Sequence, residues 1–269
     1  MNTLWPLSKP FWDYQARCSW LLRQGKPVSD VAVSDCFRFR TQATTAELWN
    51  PVTGERTSLS ITAERGRTAI HLTMAPRESY FIVLSGEKPE AKGKRSALPD
   101  NALTAQTLPL ASSQWTVTFD KAVGGPEEPV VLNKLTDWTK HSDPRIRYYS
   151  GTATYKNAFR LEKKPKDSRY ELHVKDMKGA VEVVVNGRVA GTLWCSPWTV
   201  DVTPYVRKGQ NQIELRVCNT LWNRLVGDAG KAEADRVMRQ SHPLAKPADA
   251  LVPSGITGEV ILKEWLAQR

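Results

Sequence analysis

VVVNGRVAGTLWCSPWTVDVTPYVRKGQNQIELRVCN, residues 183–219, decides the fold class of this chain. Asn186-Gly187 stands between Val183-Val184-Val185 and Arg188-Val189. Both turn residues tolerate positive φ, which a two-residue type I′ turn requires, so a β-hairpin is expected here. Asp201-Val202-Thr203-Pro204 reads as a second turn, because its Asp and Thr side chains can bond the local backbone. Gly209-Gln210-Asn211 reads as a third, leading into a strand where Ile213, Leu215 and Val217 alternate with polar residues. Turns set this close together leave room only for short strands, the mark of a β-sandwich or jelly roll.

The same signals continue on both sides of that run. Strands are expected at 115–119, 151–159, 170–174, 180–185, 188–194, 198–202, 212–217 and 258–263, with turn residues between them. Residues 229–250 are polar and read as a long loop holding a short helix. Toward the N-terminus, 85–101 is rich in Gly, Pro, Lys and Glu and nearly free of large apolar residues, which suits a linker. Before it, Phe37 and Phe39 alternate with Arg38 and Arg40. Short strands follow at 46–49, 59–62, 69–72 and 80–84, the first closed by the Asn50-Pro51-Val52-Thr53-Gly54 turn. This makes a small β unit of four or five strands. Earlier still, Trp12, Ala16 and Trp20 recur at near-helical spacing, and Gly25 with Pro27 supplies a stop, so one helix is expected within Phe11–Val31. A lone helix of that length is marginal in water and needs a surface to dock on. The expected order is therefore 1–31 helical, 32–85 a small β unit, 86–108 a linker, and 109–269 an all-β jelly-roll sandwich.

Composition limits the function classes. The chain has 269 residues and ten Trp, and most of these Trp are expected to fill a β core, leaving one or two as exposed platforms. Net charge is +10, but the Lys and Arg are scattered. The denser runs, Lys88–Arg95 and Lys163-Lys164-Lys166, fall in loop-like segments and read as solvated charge. A nucleic-acid partner is not expected; binding of anionic polymers is the least favoured reading, and its mark would be a steep salt dependence. Cys18, Cys36, Cys195 and Cys218 lack metal-ligand spacing, so free thiols are expected, with a Cys195–Cys218 bridge as the alternative. Neither a metal nor another cofactor is expected. Residues 1–10 lack a basic segment followed by an apolar run, so a secretory signal is not expected and the location is cytoplasmic by default, and no stretch is apolar enough to span a membrane as a helix.

Seven stretches, taken together, carry a family resemblance. The run NGRVAGTLWCSPWTVDVTPYVRKGQNQIELRVCN (186–219) resembles the galactose-binding-like sugar-binding domain of glycoside hydrolase family 2 and its relatives. YYSGTATYKNAF (148–159), NTLWNRLVGDA (219–229) and PSGITGEVIL (253–262) resemble the C-terminal module of the α-L-rhamnosidase-like enzymes of family 106. FWDYQARCSWLLRQGKPVSDV (11–31) is similar to a helix of that family's catalytic region. AELWNPVTGER (46–56) and PRESYFIVL (76–84) are similar to the small β unit that follows it. The resemblance implies a non-catalytic accessory fragment of a glycosidase, with rhamnose-containing glycans or a catalytic domain as partners, or alternatively an active hydrolase of rhamnosides, alone or with a separately encoded catalytic part. It also implies a departure: Asp30 is followed within a few residues by Phe37, where the family has a long catalytic stretch. The chain reads as an internally shortened version, most of the barrel is expected to be missing, and no catalytic residue is carried over.

Glycoside hydrolysis needs two carboxyl groups about 5–5.5 Å or about 6.5–9.5 Å apart, one of them held protonated. Asp176, Glu182, Asp201, Glu214 and Asp228 all sit beside turns or on alternating strand positions, where turn-forming or solvent-facing roles are expected. His71, His141, His173 and His242 have no nucleophile motif beside them, and GxSxG, HExxH and phosphate-cradling Gly loops are absent. Ser79, Ser150 and Ser254 stand in ordinary strand or turn contexts. A sugar site would need an aromatic face for the apolar side of a pyranose and polar groups for its hydroxyls. Trp194 and Trp198 bracket Cys195-Ser196-Pro197, and Trp222, Asn223 and Arg224 follow the next strand, with Asp228 close by. Three readings of this cluster stand: sugar binding, docking against a catalytic domain, and core packing.

Overall fold

The computed structural model describes residues 7–22, 36–72, 74, 79–86, 94–95, 103–238 and 244–267. They fall into two compact units, one within Lys9–Ala102 and one formed by Leu103–Arg269 with Leu7 and Ser8.

The smaller unit begins with α1 (Lys9–Leu22), which opens two residues before the helix expected over 11–31; the rest of that expectation lies outside the described residues. No residue of α1 is buried, and Trp12 and Trp20 are about half exposed. The helix is held by its polar and aromatic side chains. The Arg17 guanidinium donates to the carbonyls of Pro51 and Val52, both at 2.7 Å. Trp20 stacks parallel to Trp49 at 6.2 Å. The β residues form two small sheets. One is antiparallel, from β1 (Cys36–Phe39), β4 (Thr62–Glu64) and β5 (Arg67–His71). The other joins β2 (Thr45–Trp49), β3 (Arg56–Leu59), β6 (Phe81–Ser85) and β7 (Lys94–Arg95). Lys94–Arg95, expected within a linker, pairs in parallel with Thr57–Ser58. The turn at 50–54 forms as its residues require, with Asn50 Oδ1 accepting from Val52 and Thr53 and Gly54 at φ 78°.

The larger unit is an all-β sandwich. Its six-stranded sheet runs in the order β10-β9-β11-β17-β14-β15, with β9 (Trp115–Phe119), β10 (Val130–Leu132), β11 (Thr152–Leu161), β14 (Ala180–Val185), β15 (Arg188–Leu193) and β17 (Gly209–Cys218). Its four-stranded sheet runs β16-β12-β19-β8, with β8 (Leu103–Leu108), β12 (Arg169–Val174), β16 (Thr199–Asp201) and β19 (Val260–Ala267). Residues 103–108, at the end of the stretch expected as a linker, are an edge strand on β19. Their sequence, Leu-Thr-Ala-Gln-Thr-Leu, has no alternation that would mark a strand without the partner. A two-stranded ribbon of β13 (Met177–Lys178) and β18 (Gly255–Ile256) and the short helix α2 (Pro144–Arg147) also belong to the unit. Alternation places Trp115, Val117 and Phe119, Tyr170, Leu172 and Val174, and Ile213, Leu215 and Val217 in one shared core.

All three turns of the 183–219 run are built as the sequence requires. Asn186 and Gly187 have φ of 52° and 78°, closing the β14–β15 hairpin. Asn186 also accepts from Gln212 N and donates to Tyr205 O and Asn211 Oδ1. Asp201 Oδ1 accepts from Thr203 N at 2.8 Å. Gly209 lies at φ 87°, and the buried Asn211 side chain donates to the carbonyls of Arg207 and Gly209. The four cysteines are free, Cys218 buried at the end of β17. Among the described residues no helix is long and apolar enough to cross a membrane.

Gly179, between β13 and β14, has φ 116°, and a Cβ there would lie 2.0 Å from the Cys218 carbonyl oxygen. Gly179→Ala is therefore expected to destabilise the sandwich by at least about 2 kcal/mol, read as a lowered urea midpoint.

Candidate functional site

The strand β17 ends at Cys218, and three of the quoted stretches meet around the side chain of the next residue, Asn219. Asn219 Oδ1 accepts from Gly151 N at 3.0 Å, and its Nδ2 donates to Tyr149 O at 2.9 Å and to Ser254 Oγ at 3.0 Å. Ser254 Oγ is also reached by Asn223 Nδ2 at 3.0 Å, and Asn223 holds both the N–H and the carbonyl of Val252. Ser150 Oγ accepts from Arg224 N at 3.0 Å. Residues 148–151, 219–224 and 252–254 thus form one buried polar node. Beside it, Trp138 stands among Phe119, Tyr149 and Tyr155, with its Nε1 donating to Tyr155 Oη. Gly255 has φ 89°, and a Cβ there would strike the Trp138 indole at 2.4 Å. Burial raises the pKa of both Tyr149 and Tyr155, which keeps their hydroxyls neutral.

The node carries α3 (Trp222–Asp228), a helix absent from the sequence-based expectation. It turns most of the expected site residues inward. Asn223 is 1% exposed and Asp228 0%. Arg224 is 4% exposed, and its Nη1 lies 3.6 Å from Asp228 Oδ1. Asp228 is also approached by Lys231 Nζ at 3.1 Å and accepts from Met238 N at 2.9 Å. Burial pulls the Arg224 pKa down, and Asp228 opposes that shift. Asp228 is therefore the counter-charge of a buried cation rather than the turn or surface residue expected for it.

The three Trp differ. Trp222 is half-buried, with Nε1 bonded to Ala250 O at 2.9 Å. Trp194 packs on Leu7, Ala180 and Cys218, whereas Trp198 lies against the main core. The polar residues of the cluster thus serve the interior, and the Trp rings border it. Of the other candidate carboxylates, Glu182 and Glu214 both pair with Arg216, each at 2.7 Å, and Asp201 bonds its own turn. Ser150 and Ser254, read as ordinary positions, are members of the node; their signal was that each sits inside a quoted stretch. Among the described residues no three His, Cys, Asp or Glu gather as a metal site.

A second titratable group lies on the four-stranded sheet. Glu171 is bonded to Arg169 at 2.7 Å, to His173 at 3.2 Å and to Trp265 Nε1 at 2.9 Å. Burial works to raise the Glu171 pKa, but these partners together outweigh it and hold the pKa below the ordinary Glu value.

No protein-family model matches the chain. The solved rhamnosidase of Novosphingobium sp. PP1Y is 30% identical over 84% of this chain, with a TM-score of 0.71, and the match covers 21% of that enzyme. A protein of Formosa agariphila named as a beta-glucuronidase is 34% identical over 137 residues, which is 47% of this chain and 11% of that protein. The chain therefore spans about a fifth of one relative and about a tenth of the other. Both carry glycoside-hydrolase names, and this chain is related to proteins of that class.

Asp228→Ala leaves the Arg224 guanidinium buried beside Lys231 alone, and an unfolding titration is expected to show a loss of roughly 3 kcal/mol or more. The depressed Glu171 pKa stabilises the fold above the unfolded Glu value and ceases to do so as pH falls through the lower folded value. Wild type is accordingly expected to lose stability on acidification below about pH 4. Glu171→Gln should flatten that acid limb of the pH–stability curve.

Proposed function

We propose that this chain carries the accessory β modules of an α-L-rhamnosidase-like glycoside hydrolase of family 106. In this reading residues 109–269 are a galactose-binding-like jelly roll, with Leu103–Leu108 as its added edge strand. Residues 1–31 belong to a catalytic region, 32–85 are the small β unit, and the stretch from 86 joins the two. The modules hold rhamnose-containing carbohydrate or dock a catalytic domain. The observation that carries the reading is the rhamnosidase match. At 84% of the chain it exceeds what either unit alone contains, so it includes residues of both. The family-like stretches support the same assignment, because three of them supply one structural node.

The described carboxylates favour an accessory role over independent hydrolysis. Asp228, Glu182 and Glu214 are each engaged by a cation, and Asp201 caps its own turn. In the proposed site Trp222, Trp194 and Trp198 offer the aromatic contacts, while Asn223, Arg224 and Asp228 hold the frame behind them.

Isothermal titration with rhamnose-containing oligosaccharides is expected to give saturable heat with a dissociation constant on the order of 1 mM. An aryl α-L-rhamnoside incubated with the chain is expected to release no chromophore. Chromophore release at a rate above the buffer blank would establish instead an active rhamnosidase and overturn the accessory assignment.

A further inference from the structure

The outer face of the six-stranded sheet carries a feature that neither the Trp residues nor the buried node accounts for. Ser112 and Gln114, with Lys156, Gln210, Gln212 and Glu214, border an open groove of about 500 Å³. We propose that this groove binds a short neutral oligosaccharide, a site separate from the Trp194–Trp222 region. The inference rests on the glycosidase-accessory reading above and gives that reading a second binding surface.

Strand alternation builds the floor. Ile213 and Leu215 of β17 and Tyr155 of β11 face the core, so Gln212, Glu214 and Lys156 face outward. The wall is held in place by backbone and amide bonds. Ala111 N donates to Ala158 O at 2.7 Å. Asn157 Nδ2 donates to the carbonyls of Ser112 at 2.9 Å and Gln114 at 3.2 Å. Gln114 Nε2 is fixed on Asn133 Oδ1 at 2.8 Å. The groove is thus formed before any ligand arrives, and its volume falls within the range of small-molecule sites, about 300–1,000 Å³.

The lining chemistry selects the ligand class. Gln210 and Gln212 are exposed, and their amides make no hydrogen bond to another described residue. Each amide offers two N–H donors and an acceptor oxygen, which matches hydroxyls that both donate and accept. The charges cancel locally across two cations and two carboxylates, with Lys156 Nζ 4.0 Å from Glu214 Oε2, Arg216 Nε 2.7 Å from Glu214 Oε1 and Arg216 Nη1 2.7 Å from Glu182 Oε2. Neither an anion nor a cation is favoured on that floor. Val131, 57% exposed, adds an apolar contact at the rim. None of the lining residues is aromatic, so affinity depends on hydrogen bonds and should be weak.

The test is a titration of the ¹⁵N-labelled chain with a rhamnose trisaccharide, maltotriose and glucuronate, followed by amide shifts. A neutral sugar is expected to move amides of 111–114, 156–158 and 210–214. The double variant Gln210→Ala/Gln212→Ala should weaken that binding about fivefold or more with an unchanged melting temperature. Saturable sugar binding that leaves these amides still, or that the double variant retains in full, overturns the groove while the accessory reading stands. Tighter binding of glucuronate overturns the neutral-ligand assignment. No shift with any of the three sugars at about 50 mM overturns the groove and the carbohydrate-binding reading together.

Discussion

The hydrogen bonds of one buried carboxamide, Asn219, tie together the end of the sandwich on which the candidate site stands. Its oxygen takes the Gly151 N–H, and its nitrogen serves Tyr149 O and Ser254 Oγ. Three chain segments far apart in sequence are thereby fixed where β17 gives way to α3. A buried amide of this kind is costly unless every partner is present, so it specifies one arrangement of those segments. Gly179 and Gly255 belong to the same constraint, since each has positive φ and a backbone that passes close to Cys218 or Trp138.

This constraint explains why a cluster that reads as a sugar site is mostly interior. Asn223, Arg224 and Asp228 occupy the side of α3 that the node pulls inward, and their polar atoms serve Val252, Ser254 and one another. Trp222 remains at the border because its neighbours in the helix are the anchored ones. Of that cluster the Trp rings border the interior, while its polar members are spent within it.

Much of the fold was legible from local chemistry. Asn186-Gly187, Asp201-Val202-Thr203 and Gly209-Gln210-Asn211 form turns because their side chains and permitted φ values act within a few residues. The alternating strands at 115–119 and 212–217 were legible because burial on one face imposes a period of two. Less was legible where the partner is remote. Leu103–Leu108 is a strand only because β19 offers it an edge, and Lys94–Arg95 pairs only because β3 lies beside it. The helix α3 escaped notice because its seven residues follow a strand with no capping side chain at Leu221.

The candidate site divides in the same way. By itself the sequence determined the residue types present, namely three Trp near two turns, an Asn-Arg pair and a nearby Asp, and the β architecture that carries them. Which of those side chains meet solvent was decided only by the tertiary structure. Helical rotation about α3 and the bonds of Asn219, Asn223 and Ser254 set that direction, and these bonds join positions as much as 117 residues apart, as between Asp137 and Ser254. No local pattern carries that information, because the free energy of a buried hydrogen bond depends on a partner that folding alone brings into reach.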